Sequence, residues 1–159
     1  MLNAGTYLVA VGGFGSTTGA FTLTLRHLPV GGVTPVQITA FPTANTNLTG
    51  TTVGGTIAIA STSCQSNATG PDVSYWFFTC PNFTSRPLNA STCSVTSFDT
   101  VLTINNASGV AACADDSPSC GTQSTVSATL PAGSNLYTLT LDGWNGQNGA
   151  YTIAHRFAP

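Results

Sequence analysis

The chain of 159 residues contains no lysine and no glutamate. Three arginines and five aspartates make up its formal charges, 5% of all residues, against roughly 25% in an ordinary domain. The net charge of −2 leaves no basic patch to displace counterions, so nucleic acid is not an expected partner. Without glutamate, paired-carboxylate catalysis would need two of the five aspartates. The two histidines, His27 and His155, stand beside Arg26 and Arg156 and are read as surface residues at strand ends. No H-E-x-x-H or G-x-S-x-G is present, so neither a metalloprotease nor an esterase is indicated. The Gly12-Gly-Phe-Gly15 stretch lacks G-x-G-x-x-G spacing and has no helical pattern after it, so it reads as a turn. No C-x-x-C pair supports zinc. We expect no enzyme. There is also no apolar run long enough to cross a membrane, and Met1-Leu-Asn-Ala-Gly5 is not a signal peptide. If the protein is secreted, that start is expected to belong to a piece of a longer sequence.

Serine and threonine, 42 residues together, fill the place of charge. A surface with so little charge is not kept soluble by self-repulsion, and must be covered by glycans or by other copies of the protein. Five Asn-x-Ser/Thr sequons, at Asn47, Asn67, Asn82, Asn89 and Asn106, point to N-linked glycans. Five cysteines in a small β-rich chain fit an oxidising, extracellular compartment. Cys113 and Cys120 bound a short loop and suggest one disulfide. For the rest, Cys64 with Cys93 leaves Cys80 over, while Cys80 with Cys93 would also suit a hairpin.

The chain repeats itself. From Tyr7 to Pro29 it aligns without a gap to Tyr137 to Pro159, at an offset of 130. Gly13 meets Gly143, Gly19-Ala20 meets Gly149-Ala150, and Thr22 meets Thr152. Tyr7, Val9 and Val11 alternate with Leu8 and Ala10, and Phe21, Leu23 and Leu25 continue the period on a return strand. Each copy is expected to form a β-hairpin around a glycine-rich turn. A two-stranded hairpin is marginal alone in water, so residues 1–29 need a partner sheet, either as the end of a preceding repeat in a tandem array or as a donor to a neighbouring molecule, and the apolar residues Tyr7, Val9, Val11, Phe21, Leu23 and Leu25 are the expected interface. Residues 30–35, rich in glycine and proline, read as a linker, and 36–159 as a complete domain.

Strands recur every 8–14 residues in that domain, with no helical period, which predicts an all-β sandwich. Expected strands cover 36–41, 55–60, 71–80, 88–95, 99–105, 110–114 and 124–130, with 43–52 as a polar loop. Six ordered blocks over roughly residues 40–157 then resemble a known family. They are Pro71-Asp-Val-Ser-Tyr-Trp-Phe77, Ser91 to Leu102, Cys113-Ala-Asp-Asp116, Cys120 to Ser124, Leu130-Pro-Ala-Gly133, and Leu141-Asp-Gly143 with Gly149-Ala-Tyr-Thr152. The chain resembles bacterial pre-peptidase C-terminal (PPC) domains, with Cys80 and the Ser94-Val-Thr-Ser97 link as departures. The resemblance implies a jelly-roll-like β-sandwich, repeated or attached to other domains and not itself catalytic. Some members bind calcium, polysaccharide or collagen.

Asp99, Asp115 and Asp116 could hold Ca²⁺ through carboxylate and carbonyl oxygens. Aspartates in loops equally accept backbone N–H bonds. No other cofactor is expected. The reading of function is a structural, glycosylated unit of an extracellular fibre, joined head to tail with copies of itself through hairpin or edge-strand contacts. The alternative is an accessory module binding polysaccharide or matrix, with Phe14 and Trp144 at the turn tips as its aromatic platform.

Overall fold

In a computed structural model, the structure describes residues 9–23, 36–37, 46–57 and 66–157. Ten strands occur among them: β1 (Val36–Gln37), β2 (Thr46–Thr51), β3 (Val73–Phe78), β4 (Arg86–Ser91), β5 (Thr100–Asn106), β6 (Gly109–Ala114), β7 (Asp116–Ser117), β8 (Gly121–Leu130), β9 (Leu136–Gly143) and β10 (Ala150–Phe157). They build two sheets, ordered β1-β3-β9-β5-β6 and β2-β10-β4-β8-β7. All pairings are antiparallel except the short β1–β3 contact. The all-β sandwich expected from the strand pattern is the architecture observed.

The two-residue period explains which face is buried. In β8, Ser124, Val126, Ala128 and Leu130 point inward, while Thr125, Ser127 and Thr129 face solvent. Tyr75, Phe77, Leu102, Ile104, Tyr137, Leu139 and Leu141 from one sheet meet Leu88, Ala90, Val126, Tyr151 and Ile153 from the other. Phe77 and Tyr137 stack at 5.1 Å, and the buried hydroxyls of Tyr75 and Tyr151 satisfy one another across the core at 2.7 Å. The central strands of the first sheet are buried on their outer face as well. There the hydroxyls of Ser74 and Thr140 pair at 2.8 Å, and Asn105 donates to Thr138. That double burial suits an interior strand. Along β3, Trp76 is half-buried and Phe78 exposed, so cover over the outer face fails toward the end of this strand.

Several expectations change. Residues 46–51 of the polar loop form strand β2, whose ladder against β10 needs no apolar residue of its own beyond Leu48. Within the expected strand over 55–60, residues 55–57 are not a strand and the rest lies outside the described residues. His155 is not a surface residue. It continues the inward alternation of Tyr151 and Ile153, is 2% exposed, and its Nε2 lies 3.1 Å from Thr46 Oγ1. His27 lies outside the described residues.

The largest change concerns the closing pair of strands. The sequence pattern pairs them as a hairpin, but β9 lies between β3 and β5 in one sheet, and β10 between β2 and β4 in the other. The six residues 144–149 therefore carry the chain across the sandwich as an arch. Alternation alone cannot separate the two cases, because both place Leu139, Leu141, Tyr151 and Ile153 toward the core.

Candidate assembly surface

The turn of the arch is built by close backbone packing. A Cβ on Gly143 would overlap the carbonyl oxygen of Gln147, so only glycine fits. Gln147 N–H donates to Trp144 O at 3.0 Å, and Asn145 adopts a positive φ of 54°. The surrounding loops then fasten the turn. Gly70 N donates to Gly143 O, Asn145 N to Asn67 O, Trp144 N to Asp99 O, and Thr52 N to Gly149 O, all between 2.7 and 3.1 Å. Gly149 N in return donates to Thr52 Oγ1.

The N-terminal copy of this turn has the same local geometry. A Cβ on Gly13 would overlap Thr17 O, Thr17 N–H donates to Phe14 O at 3.3 Å, and Gly15 has φ of 64°. Among the described residues 9–23 there is no strand, and Val9, Val11, Phe21 and Leu23 are 54%, 50%, 66% and 47% exposed. These are four of the six expected interface residues. Tyr7 and Leu25 lie outside the described residues, as does the linker at 30–35. Of the tip aromatics, Phe14 is 95% exposed. Trp144 is half-buried and bridged to Ala68, so it offers no open platform.

The three acidic candidates come together. Carboxylate oxygens of Asp99, Asp115 and Asp116 lie within 4.8 Å of one another. Asp99 precedes β5, Asp115 joins β6 to β7, and Asp116 opens β7. Burial raises the pKa of Asp99 and of Asp115, and the Asp116 charge raises both further. One oxygen on each of Asp99 and Asp115 is buried without a hydrogen-bond partner among the described residues. Oxygen donors at this spacing match a hard divalent cation.

A second acidic site escaped the sequence reading. Asp142 sits within β9, 2% exposed and close to Asp72, which is 1% exposed. Burial pushes the Asp142 carboxyl up to about 7. The Gly143 amide opposes the rise, the Asp72 charge adds to it, and the Gly70 amide again opposes it. Strand register held the missing signal: Val73 pairs with Leu141, which sets their neighbours Asp72 and Asp142 side by side.

The cysteines pair differently from expectation. Cys93 and Cys120 form a disulfide, with Cα atoms 5.5 Å apart. Cys113 is disulfide-bonded too, so it is not joined to Cys120. The eight residues from 113 to 120 leave β6 in one sheet and end beside β8 in the other, which separates these two cysteines despite their closeness in sequence. Cys120 instead meets Cys93, which follows β4, the neighbour of β8. Cys80 is an exposed free thiol, and Cys64 lies outside the described residues.

The sequons differ in setting. Asn47, Asn67 and Asn82 are exposed, whereas Asn89 and Asn106 are half-buried. Asn89 sits mid-strand opposite Arg156 and Ser127, and the Asn106 side-chain oxygen accepts from Ser108 N at 2.8 Å. Among the described residues, no helix is long and apolar enough to cross a membrane.

No family model matches the chain, and no curated protein matches it. Among solved structures it is similar to the pre-peptidase C-terminal domain of a collagenase from Bacillus anthracis. The two share 14% identity at a TM-score of 0.47, over 70% of this chain and 89% of that one.

Proposed function

We propose that the chain is a non-catalytic, glycosylated building unit of an extracellular fibre, assembled head to tail with copies of itself. One observation carries this reading. Residues 9–23 hold four exposed apolar side chains in the pattern of a sandwich strand pair, with no sheet around them among the described residues. Full burial of each such side chain is worth roughly 1.5–3 kcal/mol, which favours a covering partner. A contact between different surfaces on successive copies does not close, and so propagates as a filament. The exposed sequons at Asn47, Asn67 and Asn82 supply sites for a glycan coat over a surface nearly free of charge. A divalent cation at Asp99, Asp115 and Asp116 would neutralise the densest negative charge of the unit.

Electron microscopy of native material tests the reading. Filaments with an axial repeat of about one sandwich length support it, and dispersed compact particles overturn it. The 95% exposure of Phe14 favours a second reading, a module binding polysaccharide. A Phe14→Ala change that abolishes glycan binding would support that module, and one that only breaks polymerisation would support the fibre.

A further inference from the structure

The offset of 130 pairs each exposed arm residue with a core residue. Val9, Val11, Phe21 and Leu23 correspond to Leu139, Leu141, Tyr151 and Ile153, which are 0%, 0%, 6% and 0% exposed. Ala10 and Thr22, on the alternate positions, correspond to Thr140 and Thr152, so the faces match as well as the hydrophobic positions. The turn between the arms matches too, down to the glycine that packs against the carbonyl four residues later. What the N-terminal copy lacks, among the described residues, is everything that holds the other in place: neighbouring strands on both arms, and the loops of Thr52, Asn67, Gly70 and Asp99 at the turn.

We propose that residues 9–23 form a second closing arch, which fills the β9 and β10 positions in another sandwich of this same fold whose own arch is not seated. The inference rests on the assembly reading and narrows it. Addition to an exposed edge is not the geometry, since β9 and β10 are interior strands of two different sheets. A sandwich already closed by its own arch has no room, so the partner is an open one. Its loops at the positions of Thr52, Asn67, Gly70 and Asp99 would meet the turn at Gly13–Thr17. Gly12 stands where the seated arch has Asp142, so the second arch brings no carboxyl to the side of Asp72.

Two experiments on the full-length chain test this. In the first, residues 137–159 are replaced by the sequence of residues 7–29. The expected result is a single cooperative melt followed by far-ultraviolet circular dichroism, and loss of the melt overturns the proposal. In the second, the chain's own arch is kept from seating by L139D/I153D. Light scattering is then expected to show folded species of two or more copies, absent when F21D/L23D is added. If L139D/I153D is as unfolded as the fourfold variant, no arch reaches a neighbouring sandwich and the proposal falls. Filaments of the unaltered chain that survive F21D/L23D also overturn it, leaving the fibre reading in place. A folded exchange chimera and an assembling L139D/I153D variant, with no filaments in native material, would uphold the arch and remove the fibre.

Discussion

At the scale of single residues, the groups that decide behaviour are buried aspartates. Asp142 holds its proton to about pH 7 in the fold, and releases it near 4 when unfolded. Between those values the folded state binds the extra proton, so stability falls as pH rises through the window and levels off above it. The slope from this group reaches about 1.4 kcal/mol per pH unit. His155 acts in the opposite sense, because burial lowers its pKa and acid then favours the unfolded chain. Asp142→Asn isolates the first effect. Its amide oxygen can still accept from Gly143 N, as Asp142 Oδ1 does at 2.7 Å. Urea midpoints from pH 4.5 to 7.5 should show the variant gaining on the unaltered chain as pH rises. The triad of Asp99, Asp115 and Asp116 gives a second expectation: millimolar calcium should raise the melting temperature, chelator should reverse it, and D115N/D116N should abolish the response. An unchanged melting temperature would remove the cation.

At the scale of elements, the same sequence pattern has two different energetic fates. Leu139→Ala empties a fully buried site in β9 and should cost about 2–5 kcal/mol. Val9→Ala, at the equivalent position of the other copy, should stay within about 0.5 kcal/mol in an isolated chain. Chemical denaturation of the two variants side by side measures the contrast. The Cys93–Cys120 disulfide spans 27 residues, and C93S/C120S should cost about 3–4 kcal/mol by the loop-closure argument. The residues made much of this legible in advance. β3, β5 and β8 announce themselves through alternation and β-branched content, and the repeat shows in Gly13 and Gly143. Strand partners were not legible, because alternation reports which face is buried and not which strand lies alongside. That is why the arch reads as a hairpin, why Cys113 is wrongly matched to Cys120, and why Asp72 and Asp142 are not seen to meet. β2 was missed for a related reason: its pairing with β10 runs through backbone groups that any polar sequence supplies.

At the scale of the whole molecule, the surface carries little to repel a neighbour: eight formal charges over 159 residues. The proposed association would then turn on apolar contact. F21D/L23D should abolish assembly while leaving the melting temperature of the sandwich unchanged, since both side chains are exposed in the single chain. Sedimentation and calorimetry on the same sample read the two halves of this expectation.

The arch has a further consequence, which concerns time. Of the ten strands among the described residues, β9 and β10 come last in chain order, yet each is an interior strand with a neighbour on both sides. On a ribosome that adds about 5–20 residues per second, β3 and β5 wait without their common neighbour, as do β2 and β4, until residues 136–157 emerge. Every nascent unit thus passes through a stage with both layers split open. If the second arch acts as proposed, it is during that wait, rather than after folding, that it would compete with the one still being synthesised. On that proposal, the order of the strands would make the route to the finished sandwich also the moment at which another chain could close it.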